Sequence, residues 1–295
     1  MTEVFGVPLI LIFGQLLLGL INGSFYALLS LGLAVIFGML NVINFTHGAQ
    51  FMMGAFVTWM LLEYLGIGYW WALLIVPLVM LVFGVVIEQL LLRWLYDLDH
   101  LYGLLLTFGL VLIIEGLFIQ VYGTSGQAYG IPESLRGVTD IGFMKVPLSR
   151  AWVVVASLVV CLATWYLIER TRLGSYLRAA TENRTLVRAF GINVPMMITL
   201  TYGFGVALAG IAGVLAAPIQ AVTPHMGSHL IIVVFAVVVI GGMGSIMGSI
   251  ITGFALGLLE GLTKTFYPEA SNIVVFVIMI VVLLVKPAGL FGREA

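Results

Sequence analysis

The chain of 295 residues is 62% hydrophobic and only 8% charged, whereas an ordinary soluble domain is roughly 25% charged. A soluble globule of this length leaves roughly a quarter of its unfolded surface in water, so it cannot hide this much apolar surface. The mean hydropathy of +1.20 indicates that lipid surrounds most of the chain. These values exclude a soluble enzyme, a disordered protein and a nucleic-acid binder, and the net charge of -1 provides no basic field for a phosphate backbone.

The number of cysteines and the first residues of the chain exclude further classes of protein. The single cysteine, Cys161, lies in an apolar run, which excludes a disulfide framework and a multi-cysteine metal site. The first residues lack the positively charged region of a cleavable signal peptide. We therefore expect an integral membrane protein.

Apolar runs near the length of ~20 residues that a transmembrane helix needs recur along the chain. The first run is too long for one upright helix and carries Asn22-Gly23 near its middle. The sequence predicts an all-α, polytopic transmembrane helix bundle of about eight to ten membrane segments, some of them broken or re-entrant. The runs are 8–40, 51–64, 70–92, 101–122, 151–168, 196–219, 231–240, 245–262 and 272–285.

Cationic residues predict the orientation, because cytoplasmic segments of membrane proteins are rich in lysine and arginine. Arginines crowd the segment 170–193, which we expect to be cytoplasmic, and the loop 123–150 is then external. That loop also carries cations, but they are mixed with acidic residues. Arg93 and Lys286 mark two further cytoplasmic segments. The arginines of the segment are Arg170, Arg172, Arg178, Arg184 and Arg188.

Polar or glycine-rich breaks interrupt the apolar pattern at 41–48 and at 241–249, each after an apolar run. Paired interruptions in the two halves of a membrane chain are typical of an internal inverted repeat. Each break is either an interfacial turn or unwound backbone that lines a translocation path. The candidate path or gate residues are Asn41, Asn44, Thr46 and His47 in the first break and Ser245 in the second.

Glu115 lies inside an apolar run, where a carboxylate costs on the order of 3 kcal/mol. It is either a functional group of the path or a glutamate that bonds one helix to another. His225 and His229 form an i,i+4 pair in a predicted external loop with no nearby carboxylate, so a metal site is not expected there. Small residues recur at every fourth position in 205–217 and 253–261, a pattern that favours close helix packing in lipid.

The segment 170–193 carries capping signals for a short helix. Asn183 can cap a helix that begins near Arg184, and Gly191 can end it in the left-handed conformation. Asn193 and Pro195 then begin the next membrane helix. With apolar residues on one face and arginines on the other, this helix either lies on lipid headgroups or contacts a cytoplasmic partner.

Several stretches resemble the LivH-type permeases of branched-chain amino-acid ABC importers. The resemblance is carried by GLAVIFGMLNVINFTHG at 32–48, LGSYLRAATEN at 173–183 with GIN at 191–193, AGIAGVLAAP at 209–218, VVIGGMGSIMG at 238–248 and KPAGLFG at 286–292. These matches follow the family's order along nearly the whole chain. One departure is Thr46, where the family commonly has alanine.

The resemblance implies one transmembrane permease domain over 1–295 in the bacterial inner membrane. It also implies a related second permease, two cytoplasmic ATP-binding subunits that hold the ATP and Mg, and a soluble substrate-binding protein, with no cofactor and no catalysis in this chain. The coupling residues expected at the ATPase are Leu177, Arg178, Ala179, Glu182, Asn183, Arg184, Leu186 and Arg188. The family also transports urea, short amides and aromatic acids, so the cargo stays open.

Motifs of other classes are missing from the sequence. No Gly-Lys dipeptide is present, so the chain has no Walker A phosphate loop, and neither G-x-S-x-G nor H-E-x-x-H occurs. An integral-membrane enzyme is therefore disfavoured. The alternative from another class is a self-sufficient secondary transporter or channel with Glu115 as the coupling group.

The orientation can be tested with two single cysteines in a Cys161→Ala background. We expect a cysteine at Ser125 to react with a membrane-impermeant thiol reagent on intact cells. A cysteine at Ser175 should react only after the inner membrane has been opened, because it lies in the arginine-rich segment. The reverse labelling pattern would overturn the orientation and the coupling assignment together.

Overall fold

The computed structural model describes residues 3–4, 7–40, 44–96, 98–140, 142 and 144–292. Within these residues the chain is a helical bundle, and six helices are long and apolar enough to cross a membrane: α1, α3, α4, α5, α8 and α10. The shorter apolar helices α9 and α11 accompany them. The predicted polytopic α-helical fold is confirmed. The helices are α1 Leu9–Leu40, α2 Thr46–Leu65, α3 Tyr69–Leu90, α4 His100–Tyr122, α5 Leu148–Arg170, α6 Arg172–Glu182, α7 Arg184–Ala189, α8 Val194–Ala216, α9 Met226–Gly241, α10 Ile246–Phe266 and α11 Val274–Val285.

Two short antiparallel hairpins complete the secondary structure of the described residues. Strands β1 (Glu3–Val4) and β2 (Val7–Pro8) pair before α1. Strands β3 (Val138–Asp140) and β4 (Lys145–Pro147) pair before α5, with Thr139 opposite Val146. Short 3-10 turns lie at Leu92–Leu95, Glu133–Leu135 and Pro268–Ala270.

The first apolar run is a single helix of 32 residues, longer than an upright span needs, and it is not divided at Asn22-Gly23. Its Asn22-Gly23 pair does not interrupt the helix because both residues serve the contact with α10. The amide of Asn22 donates to Glu260 Oε1 at 3.5 Å. A Cβ on Gly23 would come within 3.1 Å of the Cα of Phe254. The glycine therefore permits close approach rather than a break.

Glycines hold α1 against α10 along most of their shared length. A Cβ on Gly257 would overlap the Gly19 carbonyl and the Gly23 backbone, and one on Gly253 would lie 2.6 Å from the Cα of Ala27. In lipid, helices associate through close van der Waals packing, which small residues allow. The predicted small-residue face at 253–261 is thus a helix contact inside the chain.

The helix contacts repeat in the two halves of the chain with the roles exchanged. Helix α1 packs on α10, and α8 packs on α3; α2 runs along α8, and α9 runs along α1. The beginnings of α2 and α9 meet where Gly48 lies against Gly227. This exchange is the contact pattern that an internal repeat of α1–α3 and α8–α10 produces.

The sequence pairs the break at 41–48 with the break at 241–249, but the repeat seen in the helix contacts pairs it with another segment. The counterpart of the chain before α2 is 217–225, which precedes α9, rather than 241–249. Residues 242–245 form a tight turn between α9 and α10, in which Gly242 has φ +98° and Gly244 has φ +83°. A left-handed turn favours glycine, so the glycine-rich composition there reflects turn geometry.

The two segments that the charges assign to opposite sides of the membrane lie at opposite ends of the bundle. The loop 123–147 bonds to the 217–225 segment through Gln127 N and Val222 O at 2.9 Å. It also contacts the beginning of α3, where Trp70 Nε1 donates to Ser134 Oγ at 3.2 Å. Helix α6 lies at the other end, beside the last turns of α1 and the beginning of α10, and α7 follows it against α8. We call this the arginine end.

Glycine packing predicts a contrast between two alanine substitutions. Gly257→Ala should lower the free energy of unfolding by about 1 to 3 kcal/mol, because the added methyl overlaps the backbone of α1. Gly109→Ala, in α4, should not destabilise the protein, because no atom lies within 4 Å of the added methyl and alanine favours a helix. Thermal unfolding of both purified variants in one detergent checks this, and equal melting temperatures would contradict it.

Candidate coupling and translocation site

Residues 170–193, which we call the coupling segment after their predicted role, have the caps that the sequence predicts. Asn183 Oδ1 accepts from Leu186 N at 2.9 Å and so caps α7. Gly191 follows in the left-handed conformation with φ +81°. Asn193 Oδ1 accepts from Met196 N at 3.1 Å and caps α8, with Pro195 in its first turn. All three signals are local, which is why the residues alone predict them.

Sequence reasoning missed helix α6, which precedes α7 in the coupling segment. Its strongly amphipathic spacing, with Gly174 and Ala180 buried, could have revealed it. Arg178 anchors α6 to the end of α5: its guanidinium donates to the Ile168 carbonyl at 3.0 Å and to the Glu169 carboxylate at 3.1 Å. The backbone of Gly174 lies directly against the Ile168 carbonyl, so any side chain there would collide with α5.

The predicted coupling residues divide into an outward set and an anchored set. Leu186 and, beside it, Phe190 are 56% and 77% exposed at the arginine end. Exposed apolar side chains next to charged ones are typical of a surface that binds another protein. The exposed members of the predicted set are Ala179, Glu182, Asn183, Leu186 and Arg188, and the half-buried ones are Leu177, Arg178 and Arg184.

A cavity of about 520 Å³ joins the coupling segment to the second break. Leu177 and Arg178 of α6 line one side, and Gly38 of α1 and Ser245 line the other. Ser245 also caps α10, because its Oγ accepts from Gly248 N at 3.1 Å. The C-terminal residues 291–292 close the rim beside Met243. The structure thus brings Ser245, Leu177 and Arg178 to one cavity, whereas Arg184 does not line it.

The first break is part of a buried polar cluster that we define as Asn44, His47, Gln50 and Tyr202. The Tyr202 hydroxyl accepts from Asn44 Nδ2 at 3.3 Å and from Gln50 Nε2 at 3.0 Å. The His47 ring is fully buried, and a Cβ on Gly32 would lie 2.9 Å from it. The cluster therefore ties α2 to α8.

Several atoms of this cluster have no well-formed hydrogen bond: Asn44 Oδ1, Gln50 Oε1 and both His47 ring nitrogens. A buried polar atom without a hydrogen bond lowers the stability of the folded state, because it has lost its bonds to water. Sequence reasoning did not select Gln50 and Tyr202, although Gln50 is one helical turn from His47. Thr46 bonds separately, through its hydroxyl to the Thr107 carbonyl of α4 at 3.1 Å. Asn41 lies outside the described residues, and a role of the break in cargo passage stays a prediction.

Glu115 bonds to the beginning of α9. Its carboxylate accepts a hydrogen bond from the Ser228 hydroxyl and lies 3.4 Å from His225 Nδ1. The expectation that no carboxylate is near His225 is therefore wrong, because the fold brings α4 to a residue more than 100 positions away in sequence. Among the described residues, no group of three or more metal-ligating side chains occurs. The geometry fits an inter-helix bond.

Comparison with known proteins places the chain in a family. The family described as branched-chain amino acid transport system / permease component matches residues 15–283. The chain belongs to this family.

Members of the permease family resemble the chain over almost its full length. It is 30% identical to the high-affinity branched-chain amino acid transport system permease protein LivH of Escherichia coli K12 over 294 residues, 95% of each chain. It is also 30% identical to the permease protein BraD of Pseudomonas aeruginosa over 297 residues, again 95% of each chain. A probable LivH of Methanocaldococcus jannaschii is 28% identical, covering 93% of this chain and 91% of that one. No solved structure matches.

The buried polar cluster predicts unequal effects of two substitutions. Tyr202→Phe should lower the free energy of unfolding by about 1 to 3 kcal/mol, because it leaves the Asn44 and Gln50 amides without an acceptor. Asn44→Ala should cost less, because it also removes the unpaired Oδ1. Thermal unfolding of the purified variants measures both effects.

Uptake by the same Asn44→Ala protein, per folded complex, separates helix locking from a path role. The bond to Tyr202 favours locking, for which uptake stays unchanged while the melting temperature falls. A loss of uptake with an unchanged melting temperature would assign Asn44 to the route instead.

Proposed function

We propose that this permease is the membrane subunit of an ATP-driven importer of branched-chain amino acids or a related small solute. Support comes from the family model, which matches residues 15–283. It also comes from relatives that are named as branched-chain amino acid permeases and that align with this chain over 95% of both lengths. The six long apolar helices and the glycine-packed core suit a subunit that forms part of a transmembrane route.

The proposed mechanism is alternating access, driven by partners that bind and hydrolyse ATP. The main structural support for this mechanism is the first cavity, at the arginine end. Helix α6 forms one wall and the Ser245 turn forms another, while Arg178 fixes α6 to the last turn of α5. A partner that moves α6 therefore changes the shape of the cavity directly. Left-handed glycines in the 242–245 turn give that wall a conformation that few other residues adopt.

The partners in this proposal are a second, related permease, two cytoplasmic ATP-binding subunits and a soluble substrate-binding protein. The ATP-binding subunits hold ATP and Mg, since this sequence has no Walker A loop. They dock on the exposed surface around Leu186 and Arg188, which places the arginine end on the cytoplasmic side of the bacterial inner membrane.

The alternative of a self-sufficient transporter depends on Glu115 as an ion-coupling group. The Ser228 hydroxyl and His225 occupy its carboxylate, so an inter-helix bond accounts for its burial. The relatives over the full chain are permeases of branched-chain amino acid transport systems, which favours the importer.

The coupling role can be tested by reversing the character of the exposed surface. Arg184→Glu with Leu186→Glu should abolish transport-linked ATP hydrolysis in the reconstituted complex, because the changes place two negative charges on α7, whose exposed Leu186 belongs to the docking surface, while the permease still inserts. ATPase activity with and without loaded binding protein is the measurement.

A matched control is Lys145→Glu with Val138→Glu, which makes the same kind of change on exposed residues at the opposite end of the bundle. Stimulation of hydrolysis should survive in this control. Normal stimulation in the Arg184/Leu186 variant would remove the coupling segment from the proposal.

A further inference from the structure

A second cavity, of about 510 Å³, lies at the arginine end beside α7 and shares no lining residue with the first. Its walls are the last turns of α3, the 3-10 turn at 92–95, helix α7 and the first turns of α8. The proposed docking surface shares Arg184 and Arg188 with this cavity, but the importer proposal assigns no ligand to the cavity itself.

The polar half of the second cavity carries positive charge. Arg93, Arg184 and Arg188 line it, and Glu88 is the only carboxylate among the lining residues that the structure describes. Glu88 is buried, and its two oxygens accept from the Tyr96 hydroxyl and from Thr199 Oγ1, each at 2.7 Å. The carboxylate is thus directed into its own hydroxyl contacts, and the net charge of the lining is positive.

The other half of the cavity is apolar and faces outward from the bundle. Val85 of α3 lines it together with Met196 and Leu200 of α8, which are 58% and 47% exposed. Helix α3 is one of the six spanning helices, so these side chains continue into the surface that contacts lipid tails. Trp94, beside Arg93, is exposed at the same level, as is typical of the membrane interface.

We propose that this cavity binds the headgroup of an anionic phospholipid, with the phosphate between Arg93 and Arg188 and the acyl chains along Val85, Met196 and Leu200. Arginine provides fork-shaped donors that match phosphate oxygens. Basic pockets between membrane helices on the cytoplasmic side bind such headgroups. A free phosphate ion would use only the charged half of the cavity, whereas a phospholipid uses both halves.

The bound lipid connects the coupling segment to the membrane helices. Arg188 belongs to α7, Arg93 follows α3, and Leu200 belongs to α8, so one headgroup contacts three elements at once. Anionic lipid should therefore stabilise the folded chain, because a ligand that binds only the native state raises its stability.

The test uses the purified full-length permease in a neutral detergent, without partner subunits, so its outcome does not depend on the importer proposal. Binding of phosphatidylglycerol is measured by native mass spectrometry and by the rise in melting temperature, with phosphatidylcholine and inorganic phosphate as separate arms. We expect phosphatidylglycerol to bind and stabilise, and the other two ligands to do neither.

Arg93→Gln and Arg188→Gln should each weaken phosphatidylglycerol binding about fivefold, the effect of losing one cation near a lipid headgroup. Arg172→Gln is the matched control, because it removes an exposed arginine of the same segment that does not line the cavity. Melting temperatures without lipid show whether the variants fold equally well. Leu200→Gln tests the apolar half and should weaken phosphatidylglycerol binding but leave any phosphate binding unchanged.

Three results would overturn the proposal. The first is equal lipid binding by Arg93→Gln, Arg188→Gln and Arg172→Gln. The second is stabilisation by inorganic phosphate that matches stabilisation by phosphatidylglycerol, which would make the cavity a site for free anions. The third is equal binding of phosphatidylglycerol and phosphatidylcholine, which would mean that the arginines do not select the headgroup.

Discussion

The close approach of helix backbones at glycine is the constraint on which the rest of the structure depends. Water does not drive helices together inside lipid, so their association relies on packing that side chains would prevent. Gly257 meets Gly19 and Gly23 between α1 and α10, and Gly84 meets Gly203 between α3 and α8. The two contacts correspond to each other under the internal repeat, so the same packing rule operates at both.

Glutamates inside the bundle, whether buried or half-buried, follow a second rule: hydroxyls from other elements donate to their carboxylates. Glu88 accepts from Tyr96 and Thr199, Glu115 accepts from Ser228, and Glu260 accepts from the Tyr26 hydroxyl at 2.6 Å. A polar group in lipid needs a partner inside the protein. The bonds Glu88–Thr199, Glu115–Ser228 and Glu260–Tyr26 each join two helices, and a directional bond restricts the sliding of one helix along the other.

The coupling segment lines two cavities that differ in character. Helix α6 lines the first cavity, whose other wall is the Ser245 turn, and α7 lines the second, which arginines dominate. A displacement of the segment by a partner would alter both cavities. A lipid in the second cavity would brace α7, so that the motion is transmitted to α6 and to the cavity beside Ser245.

The sequence by itself determined the membrane class, the helical architecture, the caps at Asn183 and Asn193 and the left-handed end at Gly191, and its motifs resembled the family that the comparisons confirm. These features depend on composition or on residues within one helical turn. Sequence reasoning did not determine what a glycine or a polar residue faces across the bundle.

Only the tertiary structure decided those cases, because the partners are far apart in the sequence. The sequence shows Gly23 only as a glycine inside a long apolar run, whereas the structure shows that it allows α10 to approach closely. The sequence places no carboxylate near His225, whereas the fold brings Glu115 of α4 beside it. In the sequence, nothing distinguishes Tyr202 from the other residues of its apolar helix, whereas the structure shows that Asn44 and Gln50 donate to its hydroxyl. Glycine permits both a turn and a close contact, so its role follows from the helix that packs against it.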